Sequence, residues 1–420
     1  MEKLAVQGGR PLTGSLRIQG SKNAALPILA ATVLAEGHYS IQDVPHLTDI
    51  SVMLQILTAL GAKYTHQDSS VSLDTTSLSS SHIPQHLMGQ MRSSIFLMGP
   101  LLAKFGEVKV YPPGGCAIGE RKIDLHLQGL EALGAQVFEN EDHIYCVADQ
   151  LKGADIKLAY PSVGATENIM MAATLAKGKT IIRNAAKEPE IIDLQEFLNG
   201  MGANVCGAGT SVIEIEGVHR LKATGYRVIP DRIVAGTMIL AASMTKGDLR
   251  LENVKFEHIS PLVKIVKECG VEIDHTHDII NINSRSLVGS IPFLETGPYP
   301  HFPTDMQAQL MAFLSLSSGT STIRETVFDG RFQHVQQLKK MGARIQTNRN
   351  EAIIHGSSTY QGAQVEATDL RAGAALVLAG LAATGTTIIT KIHHIDRGYQ
   401  QIEKQLQQVG ASIKRIREET

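Results

Sequence analysis

Long apolar runs, a charge imbalance and paired cysteines are all missing from this chain of 420 residues. Each absence removes a class of protein. The most apolar stretches, around 24–35 and 372–383, fall far short of the roughly 20 residues that cross a bilayer, so both are expected as buried helices. The opening Met-Glu-Lys-Leu-Ala-Val-Gln-Gly-Gly holds no apolar run of signal-peptide type, and a cytoplasmic location is expected. A net charge of −2 gives no reason to expect nucleic acid or an anionic membrane as partner. The four cysteines, 116, 146, 206 and 269, do not pair as Cys-x-x-Cys, which points to reduced thiols. Cys146, Cys206 and Cys269 lie in strand-like or helix-end segments and are expected in the core. Neither a Gly-x-x-x-x-Gly-Lys-Ser/Thr loop nor a Gly-x-Gly-x-x-Gly turn after a strand is present, so neither ATP nor a nicotinamide cofactor is indicated. His393-His394 and His275-x-His277 lack acidic partners at a metal spacing and read as structural.

What remains is an ordinary globular composition, 43% hydrophobic and 19% charged, in a chain long enough for two or three domains. Residues 111–126 stand out. Cys116 sits in a loop of glycines and prolines, with Arg121 and Lys122 following. Val108 and Val110 alternate before it as in a strand. Ile123, Leu127 and Leu130 recur at helical spacing after it, with Asp124 near the helix start. Adjacent cations lower a thiol's pKa, so Cys116 reads either as a reactive thiol or as a small residue packed in a tight turn.

Internal repetition organises the whole chain. A helix-end phrase recurs as Leu-Gly-Ala-Lys (60–63), Leu-Gly-Ala-Gln (133–136), Met-Gly-Ala-Asn (201–204), Cys-Gly-Val-Glu (269–272), Met-Gly-Ala-Arg (341–344) and Val-Gly-Ala-Ser (409–412). A second series of helix-ending glycines falls at 37, 106, 178, 247, 319 and 385. Both repeat at about 70 residues, a period too long for a thin solenoid, so each unit reads as a small α/β module. Helices such as 95–105 and 305–316 are apolar on most faces and belong inside, covered by sheets. Six modules exceed one compact core, and the division expected is 21–229 and 230–420, with residues 1–20 adding strands to either half.

Aligning the units on their glycines marks two positions. At the helix starts stand Lys22, Arg92, Gly164, Arg232, Asp305 and Arg371. In the loop beyond the following strand stand Asp49, Cys116, Glu188, His258, Arg331 and Arg397. Cations at helix N-termini suit anions, and this set suggests a ligand with phosphate and carboxylate groups. Arg232, His258 and Arg371, taken singly, read as solvated or structurally paired side chains.

With these residues in view, the chain resembles the enolpyruvyl transferases from end to end. The likeness rests on Gly-Ser-Lys-Asn-Ala-Ala (20–25), Met-Arg-Ser-Ser-Ile (91–95), Pro-Gly-Gly-Cys-Ala-Ile-Gly (113–119), Arg-Lys-Ile-Asp-Leu-His (121–126) and Ser-Val-Gly-Ala-Thr (162–166). It continues in Glu-Pro-Glu-Ile (188–191), Pro-Thr-Asp-Met-Gln (303–307), Arg331-Phe332 and Asp396-Arg397. The resemblance implies two similar inside-out α/β barrel domains, each of three βαβαββ repeats, with a substrate cleft between them and residues 1–20 completing the second. It is to the members that transfer the enolpyruvyl group of phosphoenolpyruvate to the 3-hydroxyl of UDP-N-acetylglucosamine and release phosphate, the first committed step of peptidoglycan synthesis.

The resemblance also implies roles. Lys22, Asn23, Arg92, Arg121, Arg331 and Arg397 would bind phosphoenolpyruvate, Cys116 would donate a proton and Asp305 would take one from the sugar hydroxyl. Asn23, Arg92, Arg121, Lys122, Ile123, Asp124, Leu125, Ser162, Val163, Gly164, Asp305 and the Val327 backbone would hold the sugar nucleotide. No cofactor or metal is expected. The Cys116 loop is expected to move as a lid that shields the intermediate from water. Arg121 is followed by Lys-Ile where many members have Pro-Val, and Phe96 stands where some carry Trp.

Two other readings compete. The same fold could act on shikimate 3-phosphate, but that sister enzyme does not use such a cysteine. A non-enzymatic scaffold, or a module that senses the sugar nucleotide, would have no chemical reason to keep Lys22, Cys116, Asp305 and Arg397.

Overall fold

Each repeat starts with a helix that is apolar all round and ends where glycine lets the chain turn left-handed. The computed structural model describes residues 2–114, 122–285, 289–356 and 359–417. The apolar helices are Lys22–Ala31, Met98–Phe105, Val163–Ala173, Arg232–Met244, Gln307–Leu314 and Leu370–Leu381. Two begin later than their sequence patterns, because tight 3-10 turns, Arg92–Leu97 and Thr304–Met306, take up the first residues. Burial is near total, and in Leu370–Leu381 it covers every residue. No described helix is long and apolar enough to cross a membrane.

The glycines of the Gly-Ala phrase all have positive φ, from 91° at Gly270 to 113° at Gly61. The other series does so except at Gly247, where the left-handed residue is Lys246, φ 55°. Gly247 is needed for a different reason: a Cβ there would lie 2.4 Å from the Leu12 carbonyl oxygen.

The chain forms two units, each with its own apolar core: one within residues 20–229, the other from residues 2–19 and 230–417. In the first, the buried helices are accompanied by half-buried ones, Thr48–Ala59, Asp124–Ala132 and Pro189–Gly200. In the second, the half-buried helices are Phe256–Glu268, His334–Lys340 and Ile402–Gln408. Sheets with one buried and one exposed face cover the inner helices of both units, the inside-out α/β arrangement expected.

One sheet plan recurs. Phe293–Glu295 runs parallel to Thr320–Arg324, which pairs antiparallel with Glu351–His355, which pairs with Arg344–Asn348. Three departures from this plan could not be read from the repeat. Thr13–Arg17 precedes the first inner helix yet lies parallel to Asp248–Glu252. Gly225–Arg227 precedes the fourth inner helix yet lies parallel to His38–Gln42. Among the described residues the last repeat shows no final strand, and Glu2–Gln7 lies between Thr386–Thr390 and Ser412–Arg417, antiparallel to both. Both N-terminal strands therefore build the second unit. One sheet has three strands, with a single bridge from His82 to Lys109 where the parallel edge strand would be.

The expectation of three core cysteines needs one correction. Cys146 and Cys269 are buried, but Cys206 is exposed. Its strand, Asn204–Cys206, alternates out, in, out, so Val205 takes the core position.

Candidate active site

In the first unit Ser21 caps the first inner helix by accepting from the Ala24 N–H at 3.3 Å, which puts Lys22 and Asn23 in the opening turn. Lys22 is buried, and its Nζ lies 3.0 Å from Asp49 Oδ2. Asp49 belongs to the first turn of Thr48–Ala59 rather than to a loop, as expected from sequence, and there a carboxylate also suits the helix dipole. The cation is thus held rigidly by a partner almost fully out of water.

A second cluster in the same unit gathers three stretches distant in sequence. Arg92 opens the turn Arg92–Leu97, and its Nη2 donates to the Lys122 carbonyl at 3.2 Å. Lys122 and Ile123 lead into the helix that begins with Asp124 and Leu125. Ser162 caps Val163–Ala173, accepting from the Ala165 N–H at 3.4 Å. Gly164 follows at the point of closest approach, where a Cβ would lie 3.0 Å from His126 Cε1 and 3.1 Å from Phe96 Cε1.

One buried amide holds these stretches in register. Asn168 Nδ2 donates to the Ile95 carbonyl at 2.9 Å and lies 2.8 Å from His126 Nδ1, while its Oδ1 accepts from the Gly99 N–H at 2.8 Å. With Nδ1 accepting, the neutral His126 ring carries its proton on Nε2.

In the second unit Asp305 is gripped from both sides. Its Oδ1 accepts from Arg331 Nη2 at 2.6 Å and its Oδ2 from Arg371 Nη2 at 2.7 Å. The two guanidinium side chains are only 5% and 8% exposed, the carboxylate 29%. Burial opposes the charge of Arg371, but the charge and hydrogen bond of Asp305, together with Tyr399 and Asp231, outweigh it and keep the guanidinium above its ordinary pKa. Asp369 caps the helix that carries Arg371, accepting from the N–H groups of Arg371 and Ala372 at 2.8 and 3.1 Å. Beside Arg331, burial pushes His334 down to about 4, so this ring is neutral at pH 7.

Glu325 organises the approach to this carboxylate. It is buried and accepts from the hydroxyls of Thr296 and Thr304, both at 2.9 Å, and from the N–H groups of Val327 and Phe328 at 2.8 and 3.3 Å. It ties the Val327 turn to Thr304, the neighbour of Asp305. Since the Val327 N–H is spent on Glu325, its backbone group open to a ligand is the carbonyl.

Arg397, half-buried, ends the 3-10 turn Ile392–Arg397. Arg232 opens a helix capped by Asp231 and stacks over the Tyr299 ring at 5.7 Å. His258 lies in the first turn of Phe256–Glu268, again not in the loop expected for it. Cys116 and Arg121 lie outside the described residues, as does the expected lid.

The family model for EPSP synthase (3-phosphoshikimate 1-carboxyvinyltransferase) matches residues 6–406. The chain is 49% identical to the UDP-N-acetylglucosamine 1-carboxyvinyltransferase of Finegoldia magna over 99% of both chains. It is 50% identical to UDP-N-acetylglucosamine 1-carboxyvinyltransferase 2 of Carboxydothermus hydrogenoformans, over 99% of this chain and 100% of that one. The chain belongs to the UDP-N-acetylglucosamine 1-carboxyvinyltransferase family. Two solved structures share the fold of this carboxyvinyltransferase family: the enolpyruvyl transferase NikO from Streptomyces tendae and EPSP synthase from Acinetobacter baumannii. NikO superposes with a TM-score of 0.89 at 23% identity, covering 99% of this chain and 98% of its own. The EPSP synthase gives 0.78 at 19% identity, covering 99% and 100%.

Within this carboxyvinyltransferase-family chain, each unit assembles its own part of the expected set. The first brings Arg92, Lys122–Leu125 and Ser162–Gly164 together and sets Lys22 and Asn23 on an adjoining inner helix. The second brings Asp305 and Arg331 together and adds Arg371. Sequence reasoning passed over Asn168, Glu325 and the gripping role of Arg371. Asn168, between Glu167 and the apolar run Ile169-Met170-Met171, offered a usable signal; Glu325 carried none that separates it from surface charges, and Arg371 carried only its helix-start position.

Proposed function

We propose that this protein transfers the enolpyruvyl group of phosphoenolpyruvate to the 3-hydroxyl of UDP-N-acetylglucosamine and releases phosphate, in the cytoplasm, as the first committed step of peptidoglycan synthesis. The observation that carries the reading is the 49% identity, end to end, with the F. magna relative of that name. Lys22, Arg121 and Arg397, with Arg92, Arg331 and the amide of Asn23, bind and polarise phosphoenolpyruvate by charge and hydrogen bonding. The sugar nucleotide lies against Arg92, Arg121, Lys122–Leu125 and Ser162–Gly164, and its sugar reaches Asn23, Asp305 and the Val327 carbonyl. The domains are residues 21–229 and 230–420, the latter completed by 1–20.

The sugar 3-oxygen attacks C2 of phosphoenolpyruvate while its proton passes to Asp305. Cys116 delivers a proton to C3, giving a tetrahedral intermediate with a methyl group. Return of a C3 proton to the Cys116 thiolate and departure of phosphate from C2, taking the proton that Asp305 holds, restore the double bond and reset both groups. A carboxylate offers about four lone-pair positions, so Asp305 can accept from the sugar hydroxyl while each oxygen still holds one arginine. The guanidinium pair holds that carboxylate in one orientation, and a general base must lie within hydrogen-bond reach of the proton it takes.

The test is phosphate release in chelator-treated buffer. Release should require both substrates and fall to background in Cys116→Ser. Release with shikimate 3-phosphate in place of the sugar nucleotide, or undiminished turnover in Cys116→Ser, would overturn the reading.

A further inference from the structure

Arg415 lies on Ser412–Arg417, opposite Leu4 of the strand Glu2–Gln7. Ile413 and Leu4 are buried, and alternation along the strand turns Arg415 to the same core-facing side as Ile413. Its side chain is only 22% exposed there, and every one of its N–H donors has a carboxylate oxygen. Nη1 donates to Asp396 Oδ2 at 2.9 Å and to Glu2 Oε2 at 3.0 Å. Nη2 donates to Asp396 Oδ1 at 2.6 Å and to Glu403 Oε2 at 3.2 Å, and Nε donates to Glu403 Oε1 at 2.9 Å.

Asp396 immediately precedes Arg397 in the turn Ile392–Arg397, and Glu403 lies in the first turn of the next helix, Ile402–Gln408. One guanidinium therefore ties down both ends of the segment 396–403. Along the turn, Ile392 and Ile395 pack into the core and fix its depth. The fork of Arg415 on Asp396 fixes its rotation, because two parallel hydrogen bonds to one carboxylate allow no swivel. Asp396 is also the nearest carboxylate in sequence to Arg397.

We infer that Arg415 is a positioning residue for Arg397, aiming it at the anionic groups of phosphoenolpyruvate through the grip on Asp396 and Glu403. The inference rests on the substrate role proposed above for Arg397. Lysine keeps the charge but cannot make the fork, so Arg415→Lys is the discriminating change. A misplacement of about 1 Å at a substrate-orienting group costs up to about 100-fold in rate.

Steady-state kinetics of Arg415→Lys should show a roughly 10- to 100-fold fall in kcat/KM for phosphoenolpyruvate, with the KM for UDP-N-acetylglucosamine unchanged and little change in melting temperature. Asp396→Asn, which loosens the same grip from the other side, should reproduce that pattern and serves if Arg415→Lys does not fold. Arg417→Ala, on the same strand with a side chain 82% exposed, should leave the kinetics alone. Both variants keeping wild-type constants for phosphoenolpyruvate, or losing melting temperature alone, would overturn the inference. Arg397→Ala run in parallel separates the two failures: if it too leaves phosphoenolpyruvate kinetics unaltered, the substrate role of Arg397 is what has fallen.

Discussion

Replacing Asp305 by alanine should damage both stability and turnover, and a second substitution should separate the two effects. The carboxylate accepts charge-assisted hydrogen bonds of 2.6 and 2.7 Å from Arg331 and Arg371, whose side chains are 5% and 8% exposed. Bonds of this kind contribute about 1.5–3 kcal/mol each. Removing one partner of a buried ion pair typically costs about 3–5 kcal/mol, since the remaining charge stays out of water without compensation. Here two like charges are left behind, so the expected loss lies within that range despite the 29% exposure of Asp305.

For a unit of about 200 residues, about 2–4 °C per kcal/mol turns this into a fall of about 6–20 °C in its melting transition, readable by differential scanning calorimetry. The double variant Asp305→Ala/Arg371→Met removes one stranded charge and should recover a large part of the lost stability. Its phosphate release should stay at the level of the single variant, because the base is still missing. Unaltered melting of Asp305→Ala would show that the two contacts contribute no stability. Recovery of turnover in the double variant would refute the assignment of Asp305 as base and reduce it to a counter-ion.

Two further outcomes follow from buried groups. Burial first, then the charges of Glu190 and Glu188, hold the carboxyl of Glu167 well above its ordinary pKa. The folded protein therefore keeps a proton that the unfolded chain loses above about pH 4.5, and stability drops as pH rises until the folded group itself ionises. The slope should approach about 1.4 kcal/mol per pH unit between the unfolded and folded pKa values, seen as urea midpoints that fall as pH rises above about 5, and Glu167→Gln should flatten it; equal slopes in the two proteins would exclude a protonated Glu167. Burial pushes the thiols of Cys146 and Cys269 up to about 12 and about 11. A disulfide thiol reagent should therefore modify exposed Cys206 in the native protein and spare those two until unfolding, which peptide mapping by mass spectrometry resolves; native labelling of Cys146 would contradict its burial.

Local regularities were legible from the chain alone for a simple reason. A helix exit needs a left-handed residue and an inner helix needs apolar side chains on every face, and both demands act within a few residues. Hence the twin glycine series, the buried helices and the helix-start placement of Lys22 and Arg371 could be read directly, whereas Arg92 and Asp305 fall in 3-10 turns just before their helices. In the one slip in the series Lys246 turns left-handed in place of Gly247, and the glycine there instead leaves room for the distant Leu12 carbonyl. Cys206 was misjudged because a three-residue strand is too short for alternation to reveal its buried face.

Sequence by itself determined the six-fold repeat, the inner helices and, through its motifs, the kinship with enolpyruvyl transferases. Only the tertiary structure decided which charges meet: Lys22 with Asp49, Asp305 with two arginines, Arg415 with three carboxylates. It also decided that Glu2–Gln7 completes the last sheet, next to the final strand of the chain. The division has a physical origin. Backbone turns and hydrophobic faces are written in neighbouring residues, whereas a charged side chain looks the same in sequence whether solvent or a buried partner satisfies it, and long-range packing makes that choice.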